Sequence, residues 1–351
     1  MRYTTSIMKQ KTRVAINGFG RIGRTFFRMS YNNPDFEVVA INDLGDIKNL
    51  AYLLEYDTAY GRSPYAVTVE DGAIVVDGKK IICAHEREPQ NLPWAKENID
   101  IVVESTGLFT SYEKAKAHMD AGAKRVVITA PVKDGEGSVH GETVLMGVNE
   151  SALKTCDISS NASCTTNATS PLVSILNEGI GIEKAILNTV HAYTASQALV
   201  DGPSKKDFRE GRAAAQNIVP SSTGAAIATT LVHTSLKDKF DGISIRVPVP
   251  VGSLVDITFI AKRDTTVEEV NSLLEHASQS DAWKQLFAVT KEPLVSSDII
   301  GAHYASIADL AFTRVVGGNL VKVLAWYDNE TSYTSTLIAH VSQIGKILNQ
   351  D

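Results

Sequence analysis

Long apolar runs are missing from this chain of 351 residues. No stretch of about 18 consecutive apolar residues occurs, so the sequence offers no membrane-spanning helix. A basic excess is missing too: 34 lysines and arginines stand against 40 aspartates and glutamates, for a net charge of −6. Nucleic-acid-binding surfaces normally carry a basic excess or stripe, and no run of lysine and arginine is present, so small molecules are the expected partners. Cysteine is scarce and odd in number, and Cys83, Cys156 and Cys164 lack the close spacing of a disulfide framework. Such usage suits a reducing compartment. The opening MRYTTSIMKQK is polar and has no apolar core of a secretory signal. Internal repeats and low-complexity segments are also absent. The expectation is a soluble, cytoplasmic protein with neither a membrane nor a nucleic-acid partner.

What is present is ordinary globular material: 44% hydrophobic and 21% charged residues, both near the averages for soluble domains. The length allows two domains, each with its own core. The first half alternates strand and helix signals. TRVAING is a strand, IGRTFFRMSYNN a helix, and FEVVAIND a second strand ending in an acid. GAIVVDG, KKIICAH, DIVVEST and KRVVITA read as further strands, and YEKAKAHMDAGA as a helix closed by Gly122. This alternation predicts a Rossmann-type doubly wound parallel sheet. The second half groups its strands (KAILNTVHAY, GISIRVPVPV, LVDITFIAK, LVKVLAWYD) with fewer helices between them, and predicts an α+β domain with a mixed or antiparallel sheet. DTTVEEVNSLLEHASQS reads as a helix capped by Asp264 or a following threonine. In the tail, Tyr333, Leu337, Val341 and Ile344 recur at near-helical intervals. The expected division is residues 1–163, 164–330, and a C-terminal helix over 331–351 packing back on the first domain. ASQALVDGPSKKDFREGRAAAQN fits no element, and loops of that length are usually functional or interfacial.

NGFGRIGR carries G-x-G-x-x-G at Gly18, Gly20 and Gly23, between a strand and a helix. Glycines there let the backbone turn tightly and bring the free N–H groups of a helix N-terminus to a pyrophosphate. Asp43 ends the following strand, 20 positions beyond Gly23. A carboxylate in that place accepts from an adenosine ribose and repels a 2′-phosphate, so NAD is the expected cofactor. A plain strand-to-helix turn with a helix-capping aspartate is the alternative.

SNASCTTNAT, residues 160–169, puts Cys164 among hydroxyls just before a helical stretch running from Thr165 to Gly179. Cysteines are most often buried and inert, but a thiol at a helix N-terminus feels the positive end of the dipole, which should lower its pKa. His191 ends the strand ILNTVHAY and could reach it through the fold as an acid–base partner. Beyond lie Thr194, Ser196, the SSTG of 221–224 and Arg246, residue types that hold phosphate. Cys83 and Cys156 read as structural.

INGFGRIGR, SNASCTTN, HAYTASQ, DGPS, AAQNIVPSSTGAA and WYDNE occur in that order. In that set the chain resembles the phosphorylating glyceraldehyde-3-phosphate dehydrogenase family, from about residue 13 to residue 345. The resemblance implies a cytoplasmic homotetramer without a metal site that takes glyceraldehyde 3-phosphate, NAD and inorganic phosphate. Cys164 would form a thiohemiacetal and then a thioester, with His191 moving the protons. It further implies that Arg21 and Ile22 hold the pyrophosphate, Asp43 the ribose, and Arg87 and Thr129 the adenine side. Asn329 would fix the nicotinamide carboxamide with Tyr333 packing nearby. Thr194 and Arg246 resemble the substrate-phosphate site, and Ser163, Thr165, Thr223 and Gly224 the attacking-phosphate site, with Arg209 beside it. Leu44 and Pro203 look like the NAD-using branch. Ala168 and Ile227 depart from the cysteine and lysine common in the family. Erythrose-4-phosphate dehydrogenase, which shares fold and thiol, is the alternative reading.

Overall fold

The computed structural model describes residues 11–132, 139–205 and 207–350. Most of the polar N-terminal segment therefore lies outside the described residues. The first part runs β1 (Thr12–Asn17), α1 (Arg21–Ser30), β2 (Phe36–Asn42), α2 (Ile47–Glu55), β3 (Val67–Glu70), β4 (Ala73–Val76), β5 (Lys79–Ala84), β6 (Ile101–Glu104), α3 (Tyr112–Asp120), β7 (Arg125–Ile128), β8 (Gly141–Thr143) and β9 (Ile158–Ser160). The second runs α4 (Cys164–Gly179), β10 (Ile182–Ala192), β11 (Val219–Ser222), α5 (Ala225–Val232), β12 (Phe240–Val247), β13 (Ser253–Ala261), α6 (Val267–Gln279), β14 (Phe287–Thr290), β15 (Ser306–Val316), β16 (Leu320–Tyr327) and α7 (Thr331–Leu348).

The first sheet has the order β3-β4-β5-β2-β1-β6-β7-β9-β8. It is parallel from β5 to β8, and β3 and β4 add an antiparallel edge. Helices cover both faces: Phe26, Phe27 and Leu54 of α1 and α2 pack on one side, and Ala115 of α3 on the other. This is the doubly wound arrangement expected. The chain leaves β1 for β2 on one side and later places β6 on the other, so the topological switch point, where such sheets bind ligands, falls between β1 and β6.

The second sheet, β11-β12-β10-β13-β16-β15-β14, is mixed, as expected: β10–β12 and β14–β15 are parallel and the rest antiparallel. In β13, Val255, Ile257 and Phe259 alternate inward onto a core shared with Leu172 and Leu176 of α4 and Leu274 of α6. Thr266 caps α6 by accepting from the Glu269 N–H. Several elements carried little local signal: β3, β8, β9, β11 and β14 are only three or four residues long.

The apolar stripe of α7 joins the core of the first sheet, with Tyr333, Leu337, Val341 and Ile344 buried against it. His340, fully buried on the same helix, donates from Nδ1 to Asn161 Oδ1 at 3.1 Å and accepts from Ser159 Oγ at 2.8 Å. Burial holds its pKa down to about 3, against an ordinary 6.5. Between those values the unfolded chain binds a proton that the folded chain refuses, so stability falls as pH drops. Urea unfolding at several pH values between 4 and 6 is expected to show a pH slope that His340→Gln reduces by about 1.4 kcal/mol per pH unit. Equal slopes would place the histidine's proton balance elsewhere.

Candidate active site

The turn after β1 is shaped by steric need. Gly18 has φ +92, and a Cβ there would lie 2.7 Å from the Thr106 amide nitrogen. At Gly23 a Cβ would stand 2.2 Å from the Gly18 carbonyl oxygen. A Cβ on Gly20 would meet nothing within 4 Å. The middle glycine thus faces open space at the N-terminus of α1, which has no side-chain cap. Exposed N–H groups beside a clear approach fit a pyrophosphate. Asp43 does not cap a helix, a role taken by Asp46. It accepts from the Phe19 N–H at 2.7 Å and from Gly45 at 2.8 Å, which fixes its carboxylate beside the glycine turn.

Arg87 is exposed just beyond β5, where Asn42 of β2 bonds both the carbonyl and the N–H of Glu86. Thr129 follows β7 and bonds the Glu104 carbonyl through N–H and hydroxyl, at 2.9 and 3.0 Å. Both lie at the carboxyl ends of the parallel strands, the same rim as the glycine turn.

Cys164 is the first residue of α4. Ser163 caps the helix by accepting from the Thr166 N–H, and Ala162 before it has φ +53. The half-buried thiol packs against the cores of both sheets, so the cysteine stands where the two halves of the chain meet. Its Sγ is 3.3 Å from His191 Nε2. His191 is buried near the end of β10, opposite Arg246 on β12. The Arg246 guanidinium lies 2.6 Å from His191 Nδ1 and 3.3 Å from the Ala192 carbonyl oxygen. Nδ1 itself is 2.7 Å from that carbonyl.

The electrostatics correct one expectation. Burial pushes the Cys164 thiol up rather than down, with the Arg246 charge and bonds at Thr165 opposing it. His191 is held down to about 3, first by burial and then by Arg246. Desolvation disfavours the charged form of each group. Cys83 and Cys156, which burial also pushes up, the latter to about 11, take no part in the site.

A cavity of about 650 Å³ is lined by Arg21, Ile22, Cys164, His191, Thr194 and Asn329, among others. Asn329 Oδ1 accepts from the Gly252 N–H and the Ser253 hydroxyl, each at 3.1 Å, which leaves its amide N–H groups free to donate. The Arg21 side chain is engaged by Asp57 and Glu330. Only its backbone is left for an anion.

Other expected site residues stand off the wall. Tyr333 is buried beneath it, its hydroxyl donating to the Ala162 carbonyl. The Thr165 hydroxyl turns into the core, 2.9 Å from Tyr327 Oη. Thr223 and Gly224 lie between β11 and α5, where the Thr223 hydroxyl accepts from the Ala225 N–H. Arg209 is exposed and paired with Asp207, away from the cavity. Tyr327, within WYDNE but without an expected role, joins Thr165 to Thr189 and meets the His191 ring edge-on at 5.9 Å. The sequence did not single out Ser253. Glu330 stood in the quoted WYDNE without a role.

A thiol and an imidazole in contact thus share a cavity with Arg21 and Ile22, which follow the glycine turn. Residues 12–112 match the family model described as "Glyceraldehyde 3-phosphate dehydrogenase, NAD binding domain", and residues 163–329 match that family's C-terminal domain. The chain belongs to the glyceraldehyde-3-phosphate dehydrogenase family. It is 47% identical to the glyceraldehyde-3-phosphate dehydrogenase of Geobacillus stearothermophilus, over 93% of this chain and 96% of that protein. It is 46% identical to that of Clostridium pasteurianum, over 96% of this chain and 99% of the relative. The first domain is thus NAD-binding, in accord with the glycine turn and Asp43, and the chain is an NAD-dependent oxidoreductase. No helix among the described residues is long and apolar enough to cross a membrane.

Proposed function

We infer that this protein carries out the reversible, NAD-dependent oxidative phosphorylation of glyceraldehyde 3-phosphate to 1,3-bisphosphoglycerate, in the glycolysis of the cytoplasm. The observation that carries the reading is Cys164 Sγ at 3.3 Å from His191 Nε2, in one cavity with Ile22 and Asn329. His191 takes the thiol proton, and the sulfur attacks the aldehyde carbon to give a thiohemiacetal. The Cys164 N–H in the first turn of α4, with His191, steadies the oxyanion. NAD, when bound, supplies the two-electron acceptor for that carbon. The resulting thioester on Cys164 is open to inorganic phosphate, and cleavage of its carbon–sulfur bond frees the thiolate and an acyl phosphate.

In this reading the backbone N–H groups of Arg21 and Ile22 hold the pyrophosphate, Asp43 the ribose, and Arg87 and Thr129 the adenine side. Asn329 donates to the carboxamide above Tyr333. Thr194 and Arg246 take the substrate phosphate. Ser163, the Thr165 backbone, Thr223 and Gly224 take the attacking phosphate, with Arg209 at its margin. Residues 1–163 form the NAD-binding domain and 164–330 the catalytic domain, with 331–351 returning to the first. A homotetramer is supported by exposed Ile186, Ile227 and Leu231 around a groove of about 1150 Å³, and by exposed Leu199, Val200, Phe208 and Ile218 on or beside the long loop.

The test is NADH absorbance with glyceraldehyde 3-phosphate or erythrose 4-phosphate, each with and without inorganic phosphate. Turnover of glyceraldehyde 3-phosphate that requires phosphate is expected. Phosphate-independent turnover favouring erythrose 4-phosphate would move the assignment to erythrose-4-phosphate dehydrogenase. NADH from neither aldehyde would overturn both.

A further inference from the structure

The chain passes from β16 into α7 through Asp328, Asn329 and Glu330, and both neighbours of Asn329 are gripped from the first half of the chain. Glu330 takes the Arg21 guanidinium as a fork: Nε donates to Oε1 at 2.9 Å and Nη2 to Oε2. The same guanidinium also donates to Asp57 through Nη1 and Nη2. Asp328, fully buried, accepts from the Tyr60 hydroxyl at 2.9 Å and from the N–H groups of Gly301, Glu330 and Thr331. Asp57 and Tyr60 belong to one turn, in which Asp57 Oδ1 accepts from the Ala59 and Tyr60 N–H groups at 2.9 and 3.0 Å. The Arg21 guanidinium also lies 5.6 Å from the centre of the Tyr60 ring.

The grip is built of strong contacts. A fork between a planar guanidinium and a carboxylate fixes direction as well as distance. Burial weakens the Arg21 cation, but the bonds and charges of Glu330 and Asp57 outweigh it and raise its pKa above the ordinary arginine range. Burial likewise pushes the Asp57 carboxyl up, and its bonds to Arg21 and to the turn bring it below the ordinary range.

We propose that Glu330 and Tyr60 are positioning residues for the cofactor: through Arg21 and Asp328 they fix Asn329 at a set span from the pyrophosphate turn. This rests on the assignments of the Arg21 and Ile22 backbone to the pyrophosphate and of Asn329 to the carboxamide. Arg21 serves both ends, its N–H at the phosphates and its side chain on the segment that carries Asn329. Gly252 and Ser253 orient the Asn329 amide within its own half, and the clasp fixes that half against the turn. Its bonds join residues 309 and 268 positions apart, so no local structure sets the distance between the two subsites. A dinucleotide gains from its second contact only when that distance already suits it. A loosened clasp therefore costs the nicotinamide half of the cofactor and spares the adenosine–pyrophosphate half.

The experiment is calorimetric titration of the full-length protein with NAD and with ADP-ribose, which keeps the pyrophosphate and both riboses but lacks the nicotinamide. Glu330→Gln is expected to raise the NAD Kd about tenfold and to leave the ADP-ribose Kd within about twofold. Arg21→Lys, which replaces the fork by one ammonium, is expected to match it, and the double variant to fall no further, because both changes remove the same contact. Tyr60→Phe removes one hydroxyl and little volume, and is expected to raise the NAD Kd about threefold with ADP-ribose again unmoved. Equal losses for NAD and ADP-ribose overturn the clasp, as do additive losses in the double variant or an NAD Kd that neither Glu330→Gln nor Tyr60→Phe changes. If Glu330→Gln does not fold, Tyr60→Phe decides alone. A parent protein that binds NAD no more tightly than ADP-ribose overturns the clasp through the carboxamide assignment. A parent that prefers NAD while the variants stay flat loses the clasp and keeps that assignment.

Discussion

Cys164→Ser is expected to lower NADH formation at least ~1000-fold while NAD binding stays within about twofold. A serine hydroxyl is similar in shape and can still face His191 Nε2, where Sγ now lies at 3.3 Å. It holds its proton far more tightly than a thiol does and is the weaker nucleophile at neutral pH. An ester would also react less readily with phosphate than a thioester. The cofactor contacts assigned to the glycine turn, Asp43 and Asn329 lie on other elements, so binding persists. NADH fluorescence titration and a steady-state assay separate the two quantities. Turnover within tenfold of the parent would remove Cys164 as the nucleophile.

Gly18→Ala is expected to lower both stability, by ~2 kcal/mol, and NAD affinity, by at least about tenfold. Its φ of +92 disfavours any L side chain, and the Cβ 2.7 Å from the Thr106 nitrogen would have to move a half-buried segment. That segment is held firmly: the Thr106 N–H donates to Glu104, a buried carboxylate also bonded to His118 and Asn17. Gly20→Ala separates fold from function. Its φ is an ordinary −71 and its Cβ touches nothing, so stability should hold while affinity falls, because the methyl occupies the approach to the pyrophosphate. Thermal melts and fluorescence titrations of both variants test the pair. Equal affinity losses with equal melting shifts would mean that Gly20 serves only the turn.

Much of this was legible in the residues, for identifiable reasons. Periodicities of two and near 3.6 mark elements that bury one face, so β13, α6 and α7 could be read locally. The glycine turn was legible because its geometry excludes side chains at Gly18 and Gly23. The short strands β8, β9 and β11 were not, since a strand of three or four residues has too few alternations and depends on neighbours supplied by distant sequence. Motif order pointed to Cys164 and His191, but their environment misled: a helix terminus suggested a depressed thiol pKa, whereas burial raises it.

By itself the sequence determined the two fold classes and the cofactor turn with its acid, because each depends on residue type and short-range spacing, while the roles proposed for Cys164 and His191 came through the family resemblance. Tertiary structure decided what those groups are next to. It turned the Thr165 hydroxyl into the core toward Tyr327, bound Arg21 between Asp57 and Glu330, and set Arg246 against His191. Those contacts span 36 to 309 residues of chain, and charge–charge and hydrogen-bond energies depend on separation in space and on desolvation, neither of which a linear order encodes.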